Sequence, residues 1–179
     1  MRKTIKKYLL IGGLSIFLLC ACSSKEKQCQ EKVKAFLMAY QEQDINCGKY
    51  LAGNQEVETV QFEGFQAILA ESIKFEIESV EVNEDYDIVN VVITNVDFGR
   101  VYDGLVSSED LQIDTTGDII LELEKRLREK DVPKREFEVS IKMDKEQKIE
   151  MTSELSNALL GGYTQYIYEL TEGGVKWEE

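Results

Sequence analysis

The spacing of apolar residues changes along the chain, and each change predicts an element. In "CQEKVKAFLMAYQEQD", Val33, Phe36, Leu37 and Tyr40 fall at i, i+3, i+4 and i+7, which predicts an amphipathic helix over Cys29 to Asp44. Asp44 is placed to cap a short second helix, "INCGKYLAG", which Gly53 ends. Phe65, Ile68 and Leu69 predict a third short helical piece. From Ser72 the period becomes two: Ile73, Phe75 and Ile77 alternate with Lys74, Glu76 and Glu78, and the apolar parity then slips to Val80 and Val82, which predicts a bulge near Ser79. "NEDYD" reads as a turn, and Val89, Val91 and Ile93 as the returning strand of a hairpin with one buried face.

The same logic carries the second half. Thr115 with Asp118 makes a capping box for the helix "IILELEKRLREKD", whose apolar face is Ile119, Ile120, Leu123 and Leu127 and which Pro133 closes. Phe137, Val139, Ile141 and Met143 then alternate with Glu138, Ser140 and Lys142, "DKEQ" turns, and Ile149 with Met151 begins a return strand. A helical stretch "SELSNALL", a break at Gly161 and Gly162, a second helix "YTQYIYEL" and an acidic tail carrying Trp177 complete the chain. Helices, hairpin, helix, hairpin, helices predict an α+β fold: an antiparallel sheet of about four strands with helices packed on one face. The expected organisation is a single domain over 29–170 with a tail at 171–179, preceded by a polar tether at 22–28 and a leader at 1–21.

The leader is read from its flank order. Arg2, Lys3, Lys6 and Lys7 precede the uncharged run "YLLIGGLSIFLL", and small residues with cysteine follow, which is the order of a secretory signal. The run falls short of the roughly 20 predominantly apolar residues that comfortably span a bilayer. "LCAC" resembles the lipobox of bacterial lipoproteins. With Cys22 as the modified residue, Leu19 stands three before it and Ala21 just before it, so that cleavage falls between Ala21 and Cys22; choosing Cys20 would put the bulky Phe17 and Leu19 in those places. The resemblance implies a thioether to diacylglycerol on Cys22, with fatty acyl chains such as palmitate holding the protein to the extracytoplasmic face of a cell membrane. An ordinary secretory signal with incidental cysteines is the alternative.

Composition narrows the chemistry. Removing residues 1–21 takes four basic residues and no acidic one, so the net charge goes from -13 to -17. A chain this acidic repels nucleic acid and gains no polybasic grip on anionic lipid. Histidine is absent, which removes Ser-His-Asp and Cys-His nucleophile schemes and any histidine-containing metal site. The acidic cluster Asn83, Glu84, Asp85 and Asp87 lacks the spacing of an EF-hand loop and reads as a solvated turn. No metal and no cofactor are expected. Cys29 and Cys47 are expected to stay unpaired, because a helix over Cys29 to Asp44 separates its ends by ~22 Å whereas a disulfide needs Cα atoms about 5 to 6 Å apart.

The helix ending in "QEQDINCGKYL", the strands "IKFEIESVEVNEDYDIVNVVITNVDF" and "FEVSIKMDKEQKIEMT", and the closing "NALLGG" resemble bacterial lipoproteins with a cystatin-like or nuclear transport factor 2-like domain. The resemblance implies a cone between a concave sheet and the long helix. Such domains often open the final strand with tryptophan, as in "WKI"; here Gln147 precedes Lys148 and Ile149, so the aromatic cap of the cone is absent or supplied by Tyr163, Tyr166 or Trp177. Enzymes of that fold class carry an acid in phase with the inward positions. Those positions here, read as Ile73, Phe75, Ile77, Val89, Val91, Ile93, Phe137, Val139, Ile141 and Met143, include none. The expected function is therefore non-catalytic binding of a ligand or an envelope protein, with Tyr40, Tyr163, Tyr166 and Trp177 as candidate pocket or docking residues and no catalytic residue. A structural part of an envelope complex is the alternative, ahead of a carboxylate- or tyrosine-based enzyme using the cone.

Overall fold

The computed structural model describes residues 24–53, 62–108 and 116–172. Helix α1 (24–41) comes first, followed by a 3₁₀ helix (Ile45–Tyr50), α2 (Phe65–Glu71), β1 (Lys74–Val82), β2 (Asp87–Val96), α3 (Phe98–Val106), α4 (Thr116–Leu127), β3 (Lys134–Met143), α5 (Ser153–Leu159) and α6 (Tyr163–Glu172). The three strands pair antiparallel in the order β1-β2-β3.

The sheet obeys the predicted parity. Across the strands, Phe75, Ile93 and Phe137 form one inward row, and Ile77, Val91 and Val139 the next. The register shifts between Ile77 and Ser79, at the predicted bulge, and brings Val80 inward opposite Val89 and Ile141. On the outer face Asn90 ties the strands together: its Nδ2 donates to Ser79 Oγ at 2.9 Å and its Oδ1 accepts from Ser140 Oγ at 2.8 Å. α1 covers the inward rows with Val33, Phe36 and Leu37, all fully buried, and Leu155 and Leu159 of α5 complete that core.

A second core joins α2, α3 and α4 at the end of β2 through Leu69, Val96, Phe98, Leu105, Leu123 and Leu127. Tyr163 and Tyr166 of α6 stand against it, with ring centroids 4.9 and 5.9 Å from Phe98. The path from α5 into α6 requires glycine. Gly161 has φ +59 and a Cβ there would collide with the Val96 carbonyl oxygen.

Several expectations are corrected. Among the described residues the sheet has three strands rather than about four, because the return expected at Ile149 and Met151 is only a bridge. Ile149 pairs singly with Met143 and with Leu51, and Thr152 already caps α5 by accepting from Leu155 N. Residues 24–28, part of the tether expected over 22–28, are helical and run into α1 without a break. Asp44 does cap the second helix, accepting from Asn46 N at 2.9 Å, but that helix is 3₁₀ and ends at Tyr50. Ile120 points out of α4 and is exposed, whereas Leu123 and Leu127 are buried. α4 ends six residues before Pro133, whose carbonyl instead accepts from Asp97 N. Thr115 of the proposed capping box lies outside the described residues. Cys29 and Cys47 are both free and buried.

Candidate functional site

The inward row of β2 runs Asp87, Val89, Val91, Ile93, Asn95, apolar in the middle and polar at both ends, with all five side chains buried. Each polar end fastens a helix. Asn95 Nδ2 donates to the carbonyls of Leu159 at 2.9 Å and Ala158 at 3.3 Å at the end of α5, the second of which also accepts from Gly161 N, and its Oδ1 accepts from Val96 N at 2.7 Å. Asp87 does the same for the start of α1. Its Oδ1 accepts from Lys25 Nζ at 2.8 Å and from Asn83 N at 3.2 Å, and its Oδ2 faces Cys29 Sγ at 3.5 Å.

Asp87 corrects two expectations together. It is not part of a solvated turn, being only 2 % exposed, and it is an acid in phase with the inward positions. Reading the alternation of "DIVNVVIT" back from Ile93 through Val91 and Val89 reaches it. The carboxylate is held by these three partners. Burial, and then the negative charge of Asp87, push the Cys29 thiol up to about 11, so it stays protonated and donates. Among the described residues no three cysteine or carboxylate side chains gather in a way that could hold a metal.

The pair makes an asymmetric prediction. Asp87 is shut away from water while the Lys25 side chain is 41 % exposed. Lys25→Met leaves a buried carboxylate without its counter-charge, at an expected cost of about 2 kcal/mol, below the usual value for a broken buried pair because solvent reaches the lysine side. Adding Asp87→Leu removes the charge and should restore most of the loss in urea unfolding. Equal destabilisation by the double and the single variant would show that the ion pair is not what holds α1 to β2.

A cavity lies farther along α1. It measures about 180 Å³ and is lined by Phe36, Tyr40, Cys47, Leu51, Met151, Ser156 and Leu159. Phe36 and Tyr40 are one turn apart on α1, Cys47 is the buried residue of the 3₁₀ helix, and Ser156 and Leu159 come from α5. Its titratable lining is neutral. Burial, and then the proximity of Cys47, push the Tyr40 hydroxyl up to about 12; burial, and then Asp44, push the Cys47 thiol up as well. Such a pocket offers an apolar surface with uncharged hydroxyl and thiol groups. It is smaller than the roughly 300–1,000 Å³ of drug-sized sites, and similar to the ~150 Å³ apolar cavities that take up benzene.

Of the residues singled out in the sequence, Tyr40 lines this pocket. Tyr163 and Tyr166 belong to the other core, where Tyr166 Oη donates to Asp103 at 2.6 Å, and burial followed by this bond drives its ionisation up. They pack on the domain, and the apolar residues that α6 exposes are Ile167, Tyr168 and Leu170. Ala21, Cys22 and Trp177 lie outside the described residues. Among the described residues no helix is long and apolar enough to cross a membrane. Compared with family models, with curated proteins and with solved structures, the chain finds no match in any of the three.

Proposed function

We propose that this chain is a lipoprotein, cut before Cys22 and held by lipid on that residue to the extracytoplasmic face of a membrane, whose cystatin-like or nuclear transport factor 2-like domain binds a small neutral apolar group without catalysis. The observation that carries the binding reading is the pocket at Tyr40, small and lined by neutral groups at the edge of an otherwise filled cone. A single ring or branched alkyl group fits its volume, presented either by a free ligand or by a side chain of an envelope protein. The engaged state of Asp87 supports the same reading, since the one inward acid on β2 already has its partners.

The test is thermal unfolding of the detergent-extracted protein with and without saturating benzene. Wild type should gain stability as RT ln(1 + [L]/Kd), whereas Ser156→Leu, which fills the pocket from α5, should fold and gain none. No shift in wild type, or the same shift in both proteins, would refute the pocket as a binding site. The reading as a structural part of an envelope complex is favoured by one different observation, the exposure of Ile167, Tyr168 and Leu170 on α6.

A further inference from the structure

The covalent distance from the proposed lipid to the folded domain is very short. Only Ser23 stands between Cys22 and Ser24, which is already helical, so two peptide steps, at most about 7 Å, separate the Cα atoms of Cys22 and Ser24. The first turns of α1 are also fastened. Lys25 and Cys29 both reach Asp87, the first residue of β2, so the helix cannot swing away from the sheet to lengthen the reach.

The end of the domain at this point is built from the β1–β2 turn (83–86) and the β3–α5 turn (144–148), joined by an ion pair of 3.1 Å between Lys145 and Asp85. Tyr86 is 46 % exposed on the first turn, with Lys142 Nζ 5.7 Å from its ring centroid. An exposed tyrosine beside a lysine is the kind of side-chain pair that sits at headgroup level. α1 runs about 27 Å from this end. At its far end Gln41 donates to the Ile73 carbonyl, and Gln43 donates to Ala67 and Glu71 of α2.

From these observations, and resting on the proposed lipidation of Cys22, we infer that the domain is held without a spacer, with its 83–86 and 144–148 turns lying on the headgroup layer of the bilayer. The second core then projects away from the membrane, and the Tyr40 pocket, on the later turns of α1, is lifted clear of the lipid. The two turns carry Glu84, Asp85, Asp144 and Glu146 against Lys145 and Lys148, an acidic end that gains no grip on anionic lipid, so the acyl chains supply the adhesion and the tight junction supplies the orientation.

The test uses the full-length processed protein, reconstituted into phosphatidylcholine and phosphatidylglycerol vesicles that carry a nitroxide on the lipid headgroup. A single fluorophore is placed at Tyr86→Cys or Lys145→Cys on the membrane end, or at Gly104→Cys on α3, the buried Cys29 and Cys47 remaining unlabelled in the folded protein. Quenching at the two turn positions should exceed that at Gly104→Cys several-fold, and a flexible Gly/Ser insert between Ser23 and Ser24 should abolish the difference. Equal quenching at all three positions in protein whose mass shows the acyl group, or a difference unchanged by the insert, would overturn the orientation and leave the lipidation standing. Absence of lipid from Cys22 would defeat the underlying reading and this inference with it.

Discussion

Ile141→Asp is expected to remove most of the domain's stability. Ile141 is 1 % exposed in the middle of β3, opposite Val89 and beneath α1. An aspartate there forfeits the burial of a large side chain and must either ionise without a partner or stay protonated without hydrogen bonds. Together these cost about 4 kcal/mol or more, a large share of the 5–15 kcal/mol that holds a domain folded. Glu138→Gln on the same strand is exposed on the opposite face and should change stability by no more than about 0.5 kcal/mol. Phe75→Asp should fall between them, because Phe75 is only half-buried on the outer strand β1. Circular dichroism with urea titration gives the order. A natively folded Ile141→Asp protein would mean that the space between the sheet and α1 admits water, and a turnover activity found in such a protein would replace the binding reading with an enzymatic one.

The elements that the sequence made legible are those whose periodicity is long and whose faces differ sharply. β3 alternates over the seven residues from Phe137 to Met143 and is buried at Phe137, Val139, Ile141 and Met143, as its pattern predicts. The slip in parity at Ser79 located the bulge, since one extra residue turns every later side chain to the other face. α3 was not legible. "FGRVYDGLV" holds two glycines in nine residues, which depresses its intrinsic helicity, and it forms because Asp97 caps it and because Tyr166 packs where a Cβ on Gly99 would stand.

The expected fourth strand failed for a related reason. Ile149 and Met151 are apolar at strand spacing, but the hydrogen bonds of Ile149 go to the exit of the 3₁₀ helix: its N donates to the Tyr50 carbonyl at 2.8 Å and its carbonyl accepts from Ala52 N at 2.7 Å. Local pattern cannot show a partner so distant in sequence. The pocket was visible only in part. Tyr40 stands on the predicted helix stripe, whereas Cys47, Leu51 and Ser156 join it through tertiary packing alone. Asp87 was legible in principle, through the parity of β2, but its charge and its place beside "NED" assigned it to the turn.

Cys22→Ser is expected to abolish both lipid attachment and cleavage, giving an all-or-none loss of acyl label and of the processed form. Alkylation by the diacylglyceryl donor needs a thiol, and a serine hydroxyl at the same place is far less nucleophilic at neutral pH. The effect on anchoring is correspondingly large. Each buried methylene contributes about 0.8 kcal/mol, so two or more acyl chains bind a membrane stably where the acidic mature chain alone would be repelled from anionic lipid. Cys20→Ser, two residues earlier in "LCAC", should be processed and labelled normally, since under the proposed cleavage before Cys22 that residue leaves with the leader. Metabolic labelling with a palmitate analogue distinguishes the two variants. Equal loss in both, or loss only in Cys20→Ser, would overturn the assignment.

The intact mass of the protein extracted from membranes by detergent decides whether Cys22 is the lipidated N-terminus. The expected species begins at Cys22 and carries the added mass of a diacylglyceryl group on that residue. A chain that begins at Met1 or at any residue other than Cys22, or one that begins at Cys22 without added lipid mass, would contradict it.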